Sequence, residues 1–88
     1  MYTIVFTKQA KKDAKLLTEA GLEDTAKALI EVIKKNPFEN PPQYEKLQGD
    51  LKGFFSRRIN YQHRLVYQVF KKEKKVKVVS MWSHYEIP

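Results

Sequence analysis

Cysteine is absent from this 88-residue chain, which therefore has no disulfide framework and no thiolate nucleophile. Two histidines without thiolates fall short of the usual structural zinc ligand set, so no metal or other cofactor is expected. Long apolar runs are also missing. The opening stretch MYTIVFTKQAKK holds only a short apolar segment before its lysines, which fits neither a signal peptide nor a membrane span. The expectation is a cytoplasmic protein with no membrane partner. No internal repeat or low-complexity block occurs, and the proline-punctuated stretch PFENPPQ (37–43) is a surface connection rather than a linker. Residues 1–88 thus read as one domain.

With 42% hydrophobic residues, five Tyr, five Phe and one Trp, the chain can build one modest core. At this length the stability margin is thin, and a dimer or a bound partner would add to it. The net charge is +7, unevenly spread: residues 1–42 hold seven lysines against six acids, whereas residues 43–88 hold ten Lys plus Arg against four acids. All three arginines, Arg57, Arg58 and Arg64, lie in the basic half. Such a field suits a polyanion, nucleic acid above all, although an acidic protein would answer it too.

Tyr2–Phe6 has the aromatic and β-branched composition of a strand. Thr7 then caps a helix over Lys8–Ala20, with Ala10, Ala14 and Leu17 at helical spacing and Gly21 as its C′ residue. Lys8, Lys11, Lys12 and Lys15 form its outer face, either simply solvated or tracking a nucleic-acid backbone. A second helix follows through Leu22, Ala26, Leu29, Ile30 and Ile33, and Asn36-Pro37 forbids its continuation. Tyr44–Gln48 is a short mixed segment followed by turns at Gly49, Asp50 and Gly53. Phe54–Ile59 and Arg64–Phe70 read as a hairpin joined through Asn60–His63, and Val76–Trp82 as a last strand after the charged turn Lys71–Lys75. The fold class is therefore α+β, with two N-terminal helices packed on one face of a mainly antiparallel sheet and the other face free.

Strand alternation groups the charges without fixing which group faces out. Arg58 travels with Ser56 and Phe54, and Arg57 with Phe55 and Ile59. Arg64 shares a row with Val66, Gln68 and Phe70, while Leu65, Tyr67 and Val69 look like core. His63, at a turn, reads as a hydrogen-bonding residue rather than a catalyst, and Trp82 as either a core residue or a base-stacking one. Glu45, His84, Arg58 and Arg64 together form an inventory for metal-free RNA cleavage. A carboxylate can take the ribose 2′ proton, an imidazole can protonate the leaving oxygen, and planar guanidiniums can bind the phosphorane bidentately. Taken alone, a surface glutamate such as Glu45 is most often only solvated.

The blocks NPFENPPQYEKLQGDLKGFFSRRINYQHRLVYQV and the closing WSHYEIP resemble the YoeB/Txe toxins of the RelE superfamily, most strongly from Pro37 to Tyr85. The resemblance implies a RelE/ParE-like, microbial ribonuclease-like fold. It also implies a type II toxin that cleaves mRNA in the ribosomal A site, is silenced by a YefM/Phd-type antitoxin and forms a homodimer. By position it implies Glu45 as general base, His84 as general acid, Arg64 as the transition-state arginine, Arg58 as a phosphate contact and Tyr85 as a substrate-positioning residue. One departure is Glu86-Ile87-Pro88 after the His-Tyr pair that often ends the family's chains, expected to be a tolerated tail. A ParE-like gyrase inhibitor or a non-catalytic basic RNA-binding module are the competing readings. The first lacks the catalytic set; charge alone would suffice for the second.

Overall fold

Thr7 starts the first helix in the expected way. Its Oγ1 accepts the Ala10 N–H at 3.0 Å, and the same hydroxyl donates to the Val79 carbonyl at 2.8 Å, tying the cap to the sheet. Caps of this type contribute about 1 kcal/mol. The computed structural model describes residues 1–49 and 52–82. Its elements are β1 (Thr3–Phe6), α1 (Lys8–Glu19), α2 (Glu23–Lys35), β2 (Tyr44–Lys46), β3 (Phe54–Arg58), β4 (Arg64–Phe70) and β5 (Lys75–Ser80). Gly21, at φ 76°, takes the left-handed turn between the helices that a side chain would resist. Glu23 and Asp24 in the first turn of α2 and Lys34 and Lys35 in its last suit the helix dipole.

Among the described residues the strands form one sheet in the order β1-β5-β4-β3-β2, with β1 parallel to β5 and every other pairing antiparallel. The last strand is thus inserted beside the first. Phe55 lies opposite Tyr67, and Tyr67 opposite Val78, which puts these side chains on one face. That face carries the core. Leu65, Tyr67, Val76 and Val78 pack with Ala10 and Leu17 of α1 and with Ala26, Leu29 and Ile33 of α2. The rows of alternating residues are therefore settled: Leu65 and Tyr67 face the helices, and Arg64 faces away.

Three details differ from the sequence pattern. α1 buries Asp13 at 3% exposure within a stripe that composition alone would fill with alanine and leucine. β5 ends at Ser80 rather than Trp82, and the Met81 N–H instead donates to Asp13 Oδ2 at 2.9 Å. The helix-free face is also not uniformly open, since Ser56 and Val66 on it are buried.

Candidate active site

The cleft is assembled by strand register. β2, the short edge strand, centres on Glu45, which lies opposite Ser56 of β3; Ser56 in turn lies opposite Val66 of β4. One step along, Arg58 lies opposite Arg64. Alternation then places Glu45, Ser56, Arg58 and Arg64 on the face away from the helices. Arg64 Nη1 donates to Glu45 Oε1 at 2.9 Å and to Ser56 Oγ at 3.3 Å, so one guanidinium bridges β4, β3 and β2. The Arg64 side chain is 19% exposed and that of Glu45 50%, which leaves the carboxylate accessible and the guanidinium largely fixed.

Pro42, Gln43, Ile59 and Asn60 complete a cleft of about 430 Å³ around these residues. Small-ligand sites span roughly 300–1,000 Å³. Two guanidiniums directly across a strand pair repel each other, and among the described residues only Arg64 has a carboxylate partner. An anion between them would relieve that repulsion. The cleft thus has an accessible carboxylate, a fixed guanidinium and an exposed one on a single surface.

Arg57, next to Arg58 in sequence, does something quite different. It is fully buried, and its guanidinium donates four hydrogen bonds: Nε to Tyr67 Oη at 3.0 Å, Nη1 to the Pro42 carbonyl at 2.6 Å, and Nη2 to the carbonyls of Pro37 and Glu39 at 3.1 and 2.9 Å. Tyr67 Oη donates onward to the Pro37 carbonyl at 2.8 Å. The guanidinium also lies 5.1 Å from the Tyr44 ring centroid. Loop 37–43, which carries Pro42 and Gln43 to the cleft and leads into β2, is therefore held from inside. Phe38 meets the Tyr44 and Phe55 rings edge-on and adds apolar packing to it. Burial pushes the Tyr67 phenol above its ordinary pKa of 10.0, against the lowering pull of the charge and hydrogen bond of Arg57.

Of the residues singled out in sequence, Glu45, Arg58 and Arg64 converge. His84, Tyr85 and the tail Glu86–Pro88 lie outside the described residues. Trp82 is half-buried and stacks on the His63 ring, with centroids 4.1 Å apart and planes inclined by 19°. Its ring thus has an internal partner. Lys8, Lys11, Lys12 and Lys15 are exposed on α1, which packs on the face opposite the cleft. Sequence reasoning missed the carbonyl cradle around Arg57 and the contact of Ser56 with Arg64. Ser56's parity with Arg58 was the available signal for the second.

Comparison with known proteins agrees with this architecture. The sequence profile of the YoeB-like toxin of bacterial type II toxin-antitoxin systems matches residues 6–85. A Toxin YoeB from Synechocystis is 36% identical over 76 residues, which cover 86% of this chain and 79% of that one. A YoeB/ParE toxin from Agrobacterium tumefaciens superposes with a TM-score of 0.86 at 30% identity, over 94% of this chain and 99% of the other. The Staphylococcus aureus YoeB, seen in a heterotetrameric complex of YoeB-YefM toxin-antitoxin, superposes at 0.80 with 34% identity over 97% and 99% of the two chains. A YoeB dimer from the same species gives 0.80 and 34%, over 96% and 98%.

Proposed function

The chain belongs to the YoeB-like toxins of type II toxin-antitoxin systems, and from that membership we propose that it is an endoribonuclease cutting mRNA in the ribosomal A site. The observation that carries this reading is the Glu45–Arg64 contact of 2.9 Å in a cleft where Arg58 stands directly across from Arg64.

In the proposed reaction, Glu45 accepts the proton of a ribose 2′-OH as that oxygen attacks the adjacent 3′ phosphorus. The bond from phosphorus to the 5′ oxygen breaks, and His84 gives that oxygen its proton, leaving a 2′,3′-cyclic phosphate and a 5′-hydroxyl. Arg64 binds the negative charge that builds on the phosphorane, and Arg58 holds a phosphate oxygen from across the strand pair. The incoming phosphate competes with Glu45 for the guanidinium of Arg64, so binding itself frees the carboxylate for proton transfer. Tyr85 orients the substrate beside His84. All of these residues act within one unit, 1–88.

The partners follow from the same reading: translated mRNA and the ribosome in the cytoplasm, a second copy as homodimer, and a YefM-type antitoxin. An acidic chain that folds as it binds would complement a +7 protein. No helix among the described residues is long and apolar enough to cross a membrane.

Primer extension on mRNA in a translating extract, with and without ribosomes, tests the reading. Wild-type protein is expected to give ribosome-dependent cuts that His84→Gln and Glu45→Ala largely abolish. Undiminished cutting by both variants would sink the acid/base assignment, and growth arrest with intact mRNA and inhibited gyrase would favour a ParE-like activity.

A further inference from the structure

Two buried polar side chains that the proposed chemistry leaves unused converge on consecutive residues at the exit of β5. Asp13, 3% exposed on the inner side of α1, accepts from Gln9 Nε2 through Oδ1 and from the Met81 N–H through Oδ2, both at 2.9 Å. His63, 6% exposed, stacks on Trp82. Met81 and Trp82 are thus each held by a different element, α1 on one side and the β3–β4 hairpin on the other.

Neither residue is a natural filler of its space. A carboxylate is costly to bury, and an apolar side chain would pack α1 against the sheet at less expense. What Asp13 adds is a hydrogen bond to a backbone N–H that has left the β5 ladder. In His63 the Nδ1 atom is buried with no hydrogen-bond partner among the described residues, so the ring contributes its face rather than its polar edge. That ring is firmly mounted: Asn60 Oδ1 accepts the N–H groups of Gln62 and His63 at 2.9 and 2.7 Å, and the His63 carbonyl accepts the Ile59 N–H at 2.8 Å. The residue after His63 is Arg64, and the second residue after Trp82 is His84.

We propose that Asp13 and His63 are positioning residues that clamp Met81 and Trp82, fixing where the chain leaves β5 and so registering His84 against Arg64 and Glu45. The inference rests on the reading of His84 as general acid. Its logic is geometric, since a small misplacement of a proton donor far from any substrate contact can cost about 100-fold in rate.

The test uses the full-length protein in single-turnover cleavage of ribosome-bound mRNA, with folding checked by circular dichroism. His63→Ala and Asp13→Ala are expected to lower kcat about 100-fold while KM stays within about threefold. His63→Phe keeps the stack and Asp13→Asn keeps an acceptor for Met81, so both should hold kcat within about threefold of wild type. The deciding measurement is a double-mutant cycle. Added to His84→Gln, His63→Ala should change the residual rate by less than about twofold, because the group it positions is gone. A folded His63→Ala protein that cleaves at the wild-type rate, or that slows the His84→Gln enzyme by the same factor as wild type, overturns the clamp. An undiminished rate in His84→Gln itself instead overturns the premise. If His63→Ala does not fold, Trp82→Leu removes the same stack from its other side, and the same readings decide.

Discussion

Arg57 and Arg58 are consecutive in β3 and serve opposite sides of the sheet: Arg57 spends its guanidinium on three loop carbonyls and the Tyr67 hydroxyl, while Arg58 is exposed at the cleft. The same side chain is a structural post in one position and a ligand contact in the next.

The two should therefore respond differently to a conservative change. Arg57→Lys keeps a charge but loses the planar fork, leaving buried carbonyls unpaired, and should cost about 2–4 kcal/mol in urea unfolding. Arg58→Lys, at the surface, should stay within about 0.5 kcal/mol of wild type. Equal losses at both positions would show that the cradle contributes little.

Arg58→Ala should appear in binding instead. With a single-stranded RNA carrying a 2′-deoxy group at the cleavage position, the slope of log affinity against log salt should fall by about 0.7, the loss of one phosphate contact. An unchanged slope would remove Arg58 from the phosphate-binding set.

Glu45→Gln preserves a hydrogen-bond acceptor for Arg64 and removes the basic carboxylate. Cleavage should fall by about 10²–10⁴, with little loss of stability because exposed ion pairs contribute about 1 kcal/mol or less. A melting temperature that collapses with activity would make Glu45 structural rather than catalytic.

Alkaline pH should act through Tyr67. Its pKa is raised in the folded protein by burial, so the native state holds this proton more tightly than the unfolded chain does. The stability that depends on it is fully present below the unfolded phenol's pKa of about 10 and is lost as pH rises through the higher folded value. Urea midpoints measured across that range should drop more for wild type than for Tyr67→Phe; parallel curves would exclude the linkage.

Much of this was legible in the residues. The Leu65, Tyr67 and Val69 row identifies the core side of β4, so Arg64 must face away, and the Glu-Lys-Leu and Ser-Arg-Arg-Ile blocks mark Glu45 and Arg58. The role of Arg57 was not legible, because it depends on where loop 37–43 folds back, and alternation says only that Arg57 and Arg58 differ. Asp13 looks like one more polar residue on a lysine-rich helix. Its burial makes sense only once a backbone N–H from residue 81, far along the chain, has been placed beside it. Interactions set by local period are readable from sequence; those that join distant segments through a single polar atom are not.

The position of β5 between β1 and β4 has a consequence for synthesis. A nascent chain whose residues 75–80 are still inside the ribosome can pair β2, β3 and β4, but β1 has nothing to join and the helices lack half of the surface they cover. Neither Met81 nor any residue beyond it has yet been delivered. A protein that attacks translation is in this way assembled last at the point its chemistry needs, after it has left the machine that made it.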